Sequence, residues 1–403
     1  MNSPAGTQST PYFDALNALL KAQGQGVPHL VIDLEQLDQN ILALQDSWPS
    51  NTNLRLVVKS LPSIDLLHYL SSSLRCQHFM TFHLPFLLAM VQAFPDSDLL
   101  LGKPLPVRAV NQFYQHLESL DSDFDSKQQL SWLIDTPQRL SQYLAVAQKH
   151  QQQMGIAIEL DIGLHRGGVS STTELDVLLT QIRNHPKFLR LTGFMGYDAH
   201  VGKLPKFIET QQTSYQKSQD KYQAFIDYTR TYFSELTPET LLLNGAGSPT
   251  IELHKQASLC NDLSIGSALV KPSHFDLPLL KKYHAASYIC SPVLKQWPGM
   301  KLPGPEWLSR LIQQFQPGMQ QTFFIYGGGW KADLVDDQLK ENALYGASAN
   351  QAIVNGSHSV RLQPDDHIFW RPQESEAVFL QFGRILAIRG DKIEAQWPVL
   401  QNH

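Results

Sequence analysis

Lys59 closes the apolar run Leu56-Val57-Val58, and a lysine at the end of a buried strand is a candidate nucleophile. Partial desolvation there lowers the amine's pKa and favours imine formation with an aldehyde. Further along, Asp161-Ile162-Gly163-Leu164-His165-Arg166-Gly167-Gly168-Val169 sets an arginine and a histidine beside two glycines. Arg166 there can balance an anionic ligand group. Gly196-Tyr197-Asp198-Ala199-His200 brings a phenol and an imidazole close together, and both are candidates for acid–base work. In Asn244-Gly245-Ala246-Gly247-Ser248-Pro249-Thr250, small residues and hydroxyls let backbone N–H groups converge on a phosphate dianion. Gly266-Ser267 closes a further apolar run.

These residues need elements to position them, and the hydrophobic pattern supplies a repeating one. Strands are expected at Leu54–Val58, His78–Phe82, Asp98–Gly102, Leu130–Asp135, Ile156–Ile162, Leu189–Tyr197, Thr240–Asn244 and Asp262–Ser267. Each is apolar nearly throughout, as in a parallel sheet buried on both faces. Helix-period stretches lie between them, including Pro137–Gln153, Ser171–Asn184 and a long one near Lys206–Glu235. Eight strand-then-helix units predict an α/β protein, a (β/α)8 TIM barrel, over a doubly wound sheet. Every candidate above then falls at or just after the C-terminal end of a strand, where barrels do chemistry. The loops after strands seven and eight, Gly245–Ser248 and Gly266-Ser267, sit where barrels frequently bind phosphate.

Beyond about residue 280 the texture changes. Ala286–Leu294, Thr322–Tyr326, His367–Trp370, Ala377–Phe382 and Ile385–Arg389 read as short strands broken by Gly, Pro and Asp. The expected division is a barrel over residues 1–280 and a smaller, mainly-β C-terminal domain over 281–403. The opening helix (Tyr12 to Ala22) and the extended His29–Asp33 are expected to join the β domain.

Composition narrows the function classes. A net charge of −5 gives no basic footprint for nucleic acid or an anionic membrane. No run of about 18 apolar residues predicts a membrane span. Cys76, Cys260 and Cys290 are far apart, which suits reduced thiols, and a cytoplasmic protein is expected.

The motifs together resemble the fold-type III pyridoxal-phosphate enzymes, the alanine racemase-like group. The likeness is nearest to the branch of D-threonine aldolase and zinc-dependent D-serine dehydratase. It runs from the Pro28–Ile41 opening through Lys59, Asp161–Val169, Gly196–His200, Asn244–Thr250 and Leu263–Val270 to Asp365–Phe382. The resemblance implies that Lys59 carries pyridoxal 5'-phosphate and that Gly245, Ala246, Gly247 and Ser248 hold its phosphate. It implies Tyr197 and Arg166 near the ring, His200 nearby, a small amino-acid substrate and a homodimer. Two departures bear on the reaction. Histidines that flank the lysine in that branch are replaced here by Val57 and Leu61, with Pro62 following. The branch's metal-binding pair after a proline becomes Glu374 and Glu376, which suit Mg²⁺ or Mn²⁺ rather than Zn²⁺. The implied chemistry is aldolase- or dehydratase-like cleavage at Cα–Cβ of a β-hydroxy D-amino acid. An amino-acid racemase and a non-catalytic protein of pyridoxal-phosphate homeostasis are the alternatives.

Overall fold

A computed structural model describes residues 10–120, 122–202, 209–238, 241–301, 307, 317–346 and 348–401. The chain divides into two compact units. One comprises mainly residues 41–268 and the other residues 1–40, 269–276 and 281–399.

The first unit is a closed barrel. Its strands are β2 (Asn53–Val57), β3 (His78–Thr81), β4 (Asp98–Leu101), β5 (Leu130–Ile134), β6 (Met154–Leu160), β7 (Leu189–Gly196), β8 (Leu242–Gly245) and β9 (Asp262–Ile265). They pair in parallel in sequence order, and β2 closes on β9 with Leu56 opposite Ile265. The continuous apolar runs are buried as a two-sided parallel sheet requires. Leu130–Ile134, for example, is buried at every position. Helices follow the strands and are capped locally. Ser63, Thr136, Ser171 and Thr210 each accept a backbone N–H from the first turn of the helix they precede. The long helix is Gln211–Tyr232, and part of its expected start, residues 206–208, lies outside the described residues, as does Thr240 of the seventh expected strand.

The second unit is a nine-stranded sheet. β1 (His29–Asp33) pairs antiparallel with β10 (Ser287–Pro298) and parallel with β16 (Arg384–Arg389). β11 (Gln321–Tyr326), β14 (Gln351–Gly356) and β13 (Leu339–Glu341) extend one side, and β17 (Lys392–Pro398) the other. β15 (His367–Pro372) pairs with both β10 and β12 (Ala332–Leu334). Helix Thr10–Gln23 packs Phe13, Leu16, Leu19 and Leu20 into a core with Val31, Tyr288, Cys290 and Leu386. The N-terminal helix and strand thus belong to the β unit.

One expected strand is a helix. Ala377–Phe382 gives way to the helix Ser375–Phe379, which buries Ser375, Val378 and Phe379. Their i, i+3, i+4 spacing is a helical stripe rather than an alternation.

Candidate active site

The loop bearing Lys59 is fixed by its neighbours. β2 ends at Val57, and Val58–Ser60 form a single 3-10 turn closed by Leu61 N–H on the Val58 carbonyl at 3.0 Å. Val58, Ser60 and Leu61 are buried, while Lys59 itself is half-buried. Its Nζ lies 4.6 Å from the centre of the Phe82 ring, and Phe82 follows β3. His83, next in the chain, titrates below the ordinary imidazole value. Burial is the main cause, and the charges of Lys103 and Lys59 add to it.

From Lys59 a line of contacts runs around the C-terminal mouth of the barrel. Gly266, after β9, passes so close to Ser60 that a Cβ there would lie 2.7 Å from the Ser60 Cβ. Buried Ser248, after β8, accepts the backbone N–H of Ala268 at 2.9 Å and of Gly266 at 3.3 Å. This joins the two loops expected to hold phosphate, with Ser267 buried between those amides. Ala246 adopts a left-handed φ of 63°, which turns the loop sharply after β8. At Gly247 a Cβ would come within 2.5 Å of the Tyr197 ring, so glycine lets this loop approach the phenol. The Arg166 guanidinium lies 5.1 Å from the same ring.

The loop after β6 is stapled by its own first residue. Asp161 accepts the N–H groups of Gly163 and His165 at 3.1 and 3.0 Å, and pairs with His165 Nδ1 at 2.7 Å. His165 is therefore turned onto Asp161 at the surface, and Arg166 is exposed. His200 packs against Gly163, and its Nε2 lies 3.3 Å from Ser218 of the long helix. Burial lowers its pKa, so the imidazole is neutral at neutral pH.

Three further side chains escaped the sequence reading. Glu159 and Asp135 both lie near Gly167, at 3.6 and 3.7 Å from the place of a Cβ there. The Glu159 carboxyl is pushed up to about 7, first by burial and then by Asp135, with Arg166 opposing. Asp135 directly follows β5, so the strand-end rule would have found it; Glu159 lies within β6 and carried no such mark. Buried Asp198 takes a hydrogen bond from Thr250 Oγ1 at 2.6 Å and pairs with His254 Nε2 at 2.8 Å. It ties the loop after β7 to the helix after β8.

The expected site residues of the barrel, Lys59, Arg166, Tyr197, His200, Gly245–Ser248, Gly266 and Ser267, all follow or end its strands. An amine, a glycine-walled cup with a buried hydroxyl, a phenol and a guanidinium fit a phosphorylated aldehyde such as pyridoxal phosphate. Glu374 and Glu376 belong to the β unit. Glu374 stands just before the helix Ser375–Phe379 and pairs with Lys331 at 3.0 Å, while Glu376 lies in its first turn. Among the described residues no three His, Cys, Asp or Glu side chains cluster as metal ligands. With Glu374 held by Lys331, the two carboxylates are not arranged as a metal site.

Residues 32–274 match the family model described as alanine racemase, N-terminal domain. A 3-hydroxy-D-aspartate aldolase of Paracoccus denitrificans (strain Pd 1222) is 21% identical over 277 residues, 66% of this chain and 65% of the relative. The match thus spans just under two thirds of that relative. The solved D-threonine aldolase of Filomicrobium marinum superposes with a TM-score of 0.71 at 15% identity, covering 93% of this chain and 97% of that one. A D-threo-3-hydroxyaspartate dehydratase superposes with a TM-score of 0.70 at 15% identity, covering 98% and 100%. At such identities the structural likeness speaks for the fold. Among the described residues no helix is long and apolar enough to cross a membrane.

Proposed function

Because the chain belongs to the alanine racemase N-terminal domain family, we propose that it is a pyridoxal-phosphate enzyme acting on a small D-amino acid. The reaction is lyase chemistry at Cα–Cβ of a β-hydroxy substrate, by aldol cleavage or dehydration. The observation that carries this reading is the contact line at the barrel mouth, from the Lys59 loop through Gly266 and Ser248 to Gly247 and Tyr197. The names of the similar aldolase and dehydratases support the choice of reaction. A homodimer in the cytoplasm completes the proposal.

When bound, pyridoxal phosphate supplies an electron sink for the bond broken at Cα. Lys59 would hold the cofactor through its Nζ, and its amine would be placed to take or return a proton. Its flanking residues Val58, Ser60 and Leu61 are buried and fix the loop that carries it. Gly245, Ala246, Gly247 and Ser248, with Gly266 and Ser267, would hold the phosphate by backbone and hydroxyl contacts. The Tyr197 phenol, steadied by Arg166 over its ring, would hold or move a proton. His200, neutral at the loop junction, is a second proton group. Glu159, half-ionised near neutral pH, tempers the charge of Arg166.

Racemisation is the second reading, favoured by one observation. Glu374, at the place of a metal ligand in the aldolase and dehydratase branch, is paired with Lys331 instead. Product analysis separates the two. Glycine and acetaldehyde from D-threonine, or pyruvate and ammonia from D-serine, are the expected products. L-alanine from D-alanine without those products would make the protein a racemase, and inertness toward all three would contradict both readings.

A further inference from the structure

Opposite the Lys59 mouth, the barrel has a second polar feature, a cavity of about 290 Å³ lined by residues that open the strands. Arg55 lies in β2, His78 begins β3, Asp98 begins β4, Arg190 and Thr192 lie early in β7, and Asp262 begins β9. Barrels ordinarily use this face for stability, and part of the cluster fits that use. Fully buried Arg55 donates to Asp262 Oδ1 and Oδ2 at 2.7 and 2.8 Å and to Asp98 Oδ1 at 2.7 Å.

The remaining groups are not accounted for in this way. Among the described residues, His78 Nδ1, Arg190 Nε and Thr192 Oγ1 are buried atoms with no hydrogen-bond partner. Thr192 is only 9% exposed. His78 Nδ1 stands 3.8 and 3.9 Å from Asp98 and Asp262, beyond hydrogen-bond reach. Arg190 donates one bond, to the Lys127 carbonyl at 2.6 Å, and feels the charges of Asp98 and of Asp125, which does not line the cavity, without pairing to either. Buried donors left so are costly unless something fills the space.

The charges say what that something is. Arg55 against Asp98 and Asp262 leaves one negative charge, and Arg190 adds one positive charge at a distance from it. The cluster is neutral in sum and divided in sign. A lone anion or cation would unbalance it, whereas a small zwitterion matches both ends. A water's share of liquid volume is roughly 30 Å³, so the space takes a molecule of several heavy atoms. We propose that this cavity binds a free α-amino acid, its carboxylate toward Arg190 and Thr192 and its ammonium toward Asp98. This second site needs no cofactor and stands whether or not the catalytic reading does.

The test is calorimetric titration of Lys59→Ala protein, in which the cofactor-bearing amine is gone, with glycine, D-alanine and D-serine. Saturable binding at one site is expected. It should weaken about tenfold or more in Arg190→Gln and in Thr192→Val, each of which removes a donor to the carboxylate. Acetate and ethanolamine, each carrying half of the charge pattern, should bind about tenfold or more weakly than glycine. Thr192→Val should fold normally, since its hydroxyl has no partner to lose, and it decides the matter if Arg190→Gln does not fold. No saturable binding of any amino acid, or binding indifferent to Thr192→Val, would overturn the proposal and leave a pocket of water.

Discussion

Glu159 is the residue whose environment most changes its chemistry. A carboxyl raised from 4.5 to about 7 by burial and by Asp135 binds more protons in the folded chain than in the unfolded one. Its contribution to stability is therefore fully present below about pH 4.5 and is lost as pH rises through about 7. Glu159→Gln, uncharged at every pH, should flatten that decline in urea-unfolding free energies measured from pH 5 to 8. In the same variant the neutral limb of the pH–activity profile should move or vanish. A stability profile identical to that of the parent would show that Glu159 is ionised throughout. Lys59 was legible because an apolar strand ends on it. Glu159 was not, because its shift comes from burial and from Asp135, which only folding brings about.

At the level of elements, the cup proposed for phosphate is two loops held by a third. Asp198, after β7, binds Thr250 and His254 of the segment after β8, and Ser248 of that segment reaches the amides after β9. Burial opposes its charge, yet His254 and Thr250 hold the Asp198 carboxyl below its ordinary value. Asp198→Ala removes the acceptor of both bonds. It should weaken pyridoxal-phosphate affinity about tenfold or more, read by fluorescence titration of cofactor-stripped protein. Unchanged affinity would mean the cup stands without that brace. The barrel strands were legible because burial on both faces leaves unbroken apolar runs. The β unit was less so. β17 (Lys392–Pro398) has mostly exposed or half-exposed residues, and β12 and β13 are three residues each, too short for a period to show. The helix Ser375–Phe379 hid within a run of apolar residues, where only the burial of Ser375 with Val378 and Phe379 separates helix from strand.

For the whole molecule, the barrel carries ionic groups at one mouth and proposed chemistry at the other. Arg55 and Asp262 are both without exposed surface, and Asp98 is held down at about 2, since Arg55 outweighs the burial that opposes its charge. Removing one partner strands the others, so Arg55→Ala should destabilise the fold by about 3–5 kcal/mol in urea unfolding. A loss under about 1 kcal/mol would mean water reaches the freed carboxylates. The family could be read in the sequence because its motifs lie in order on strand ends. The reaction could not, because it turns on substrate contacts that no run of residues displays. The most direct test of the central claim is borohydride reduction of the purified, cofactor-loaded protein followed by peptide mass mapping. A pyridoxyl group on the peptide containing Lys59, absent from Lys59→Ala, is the predicted result. Protein that stays colourless with added pyridoxal phosphate, or that carries the label on another lysine, would contradict the account.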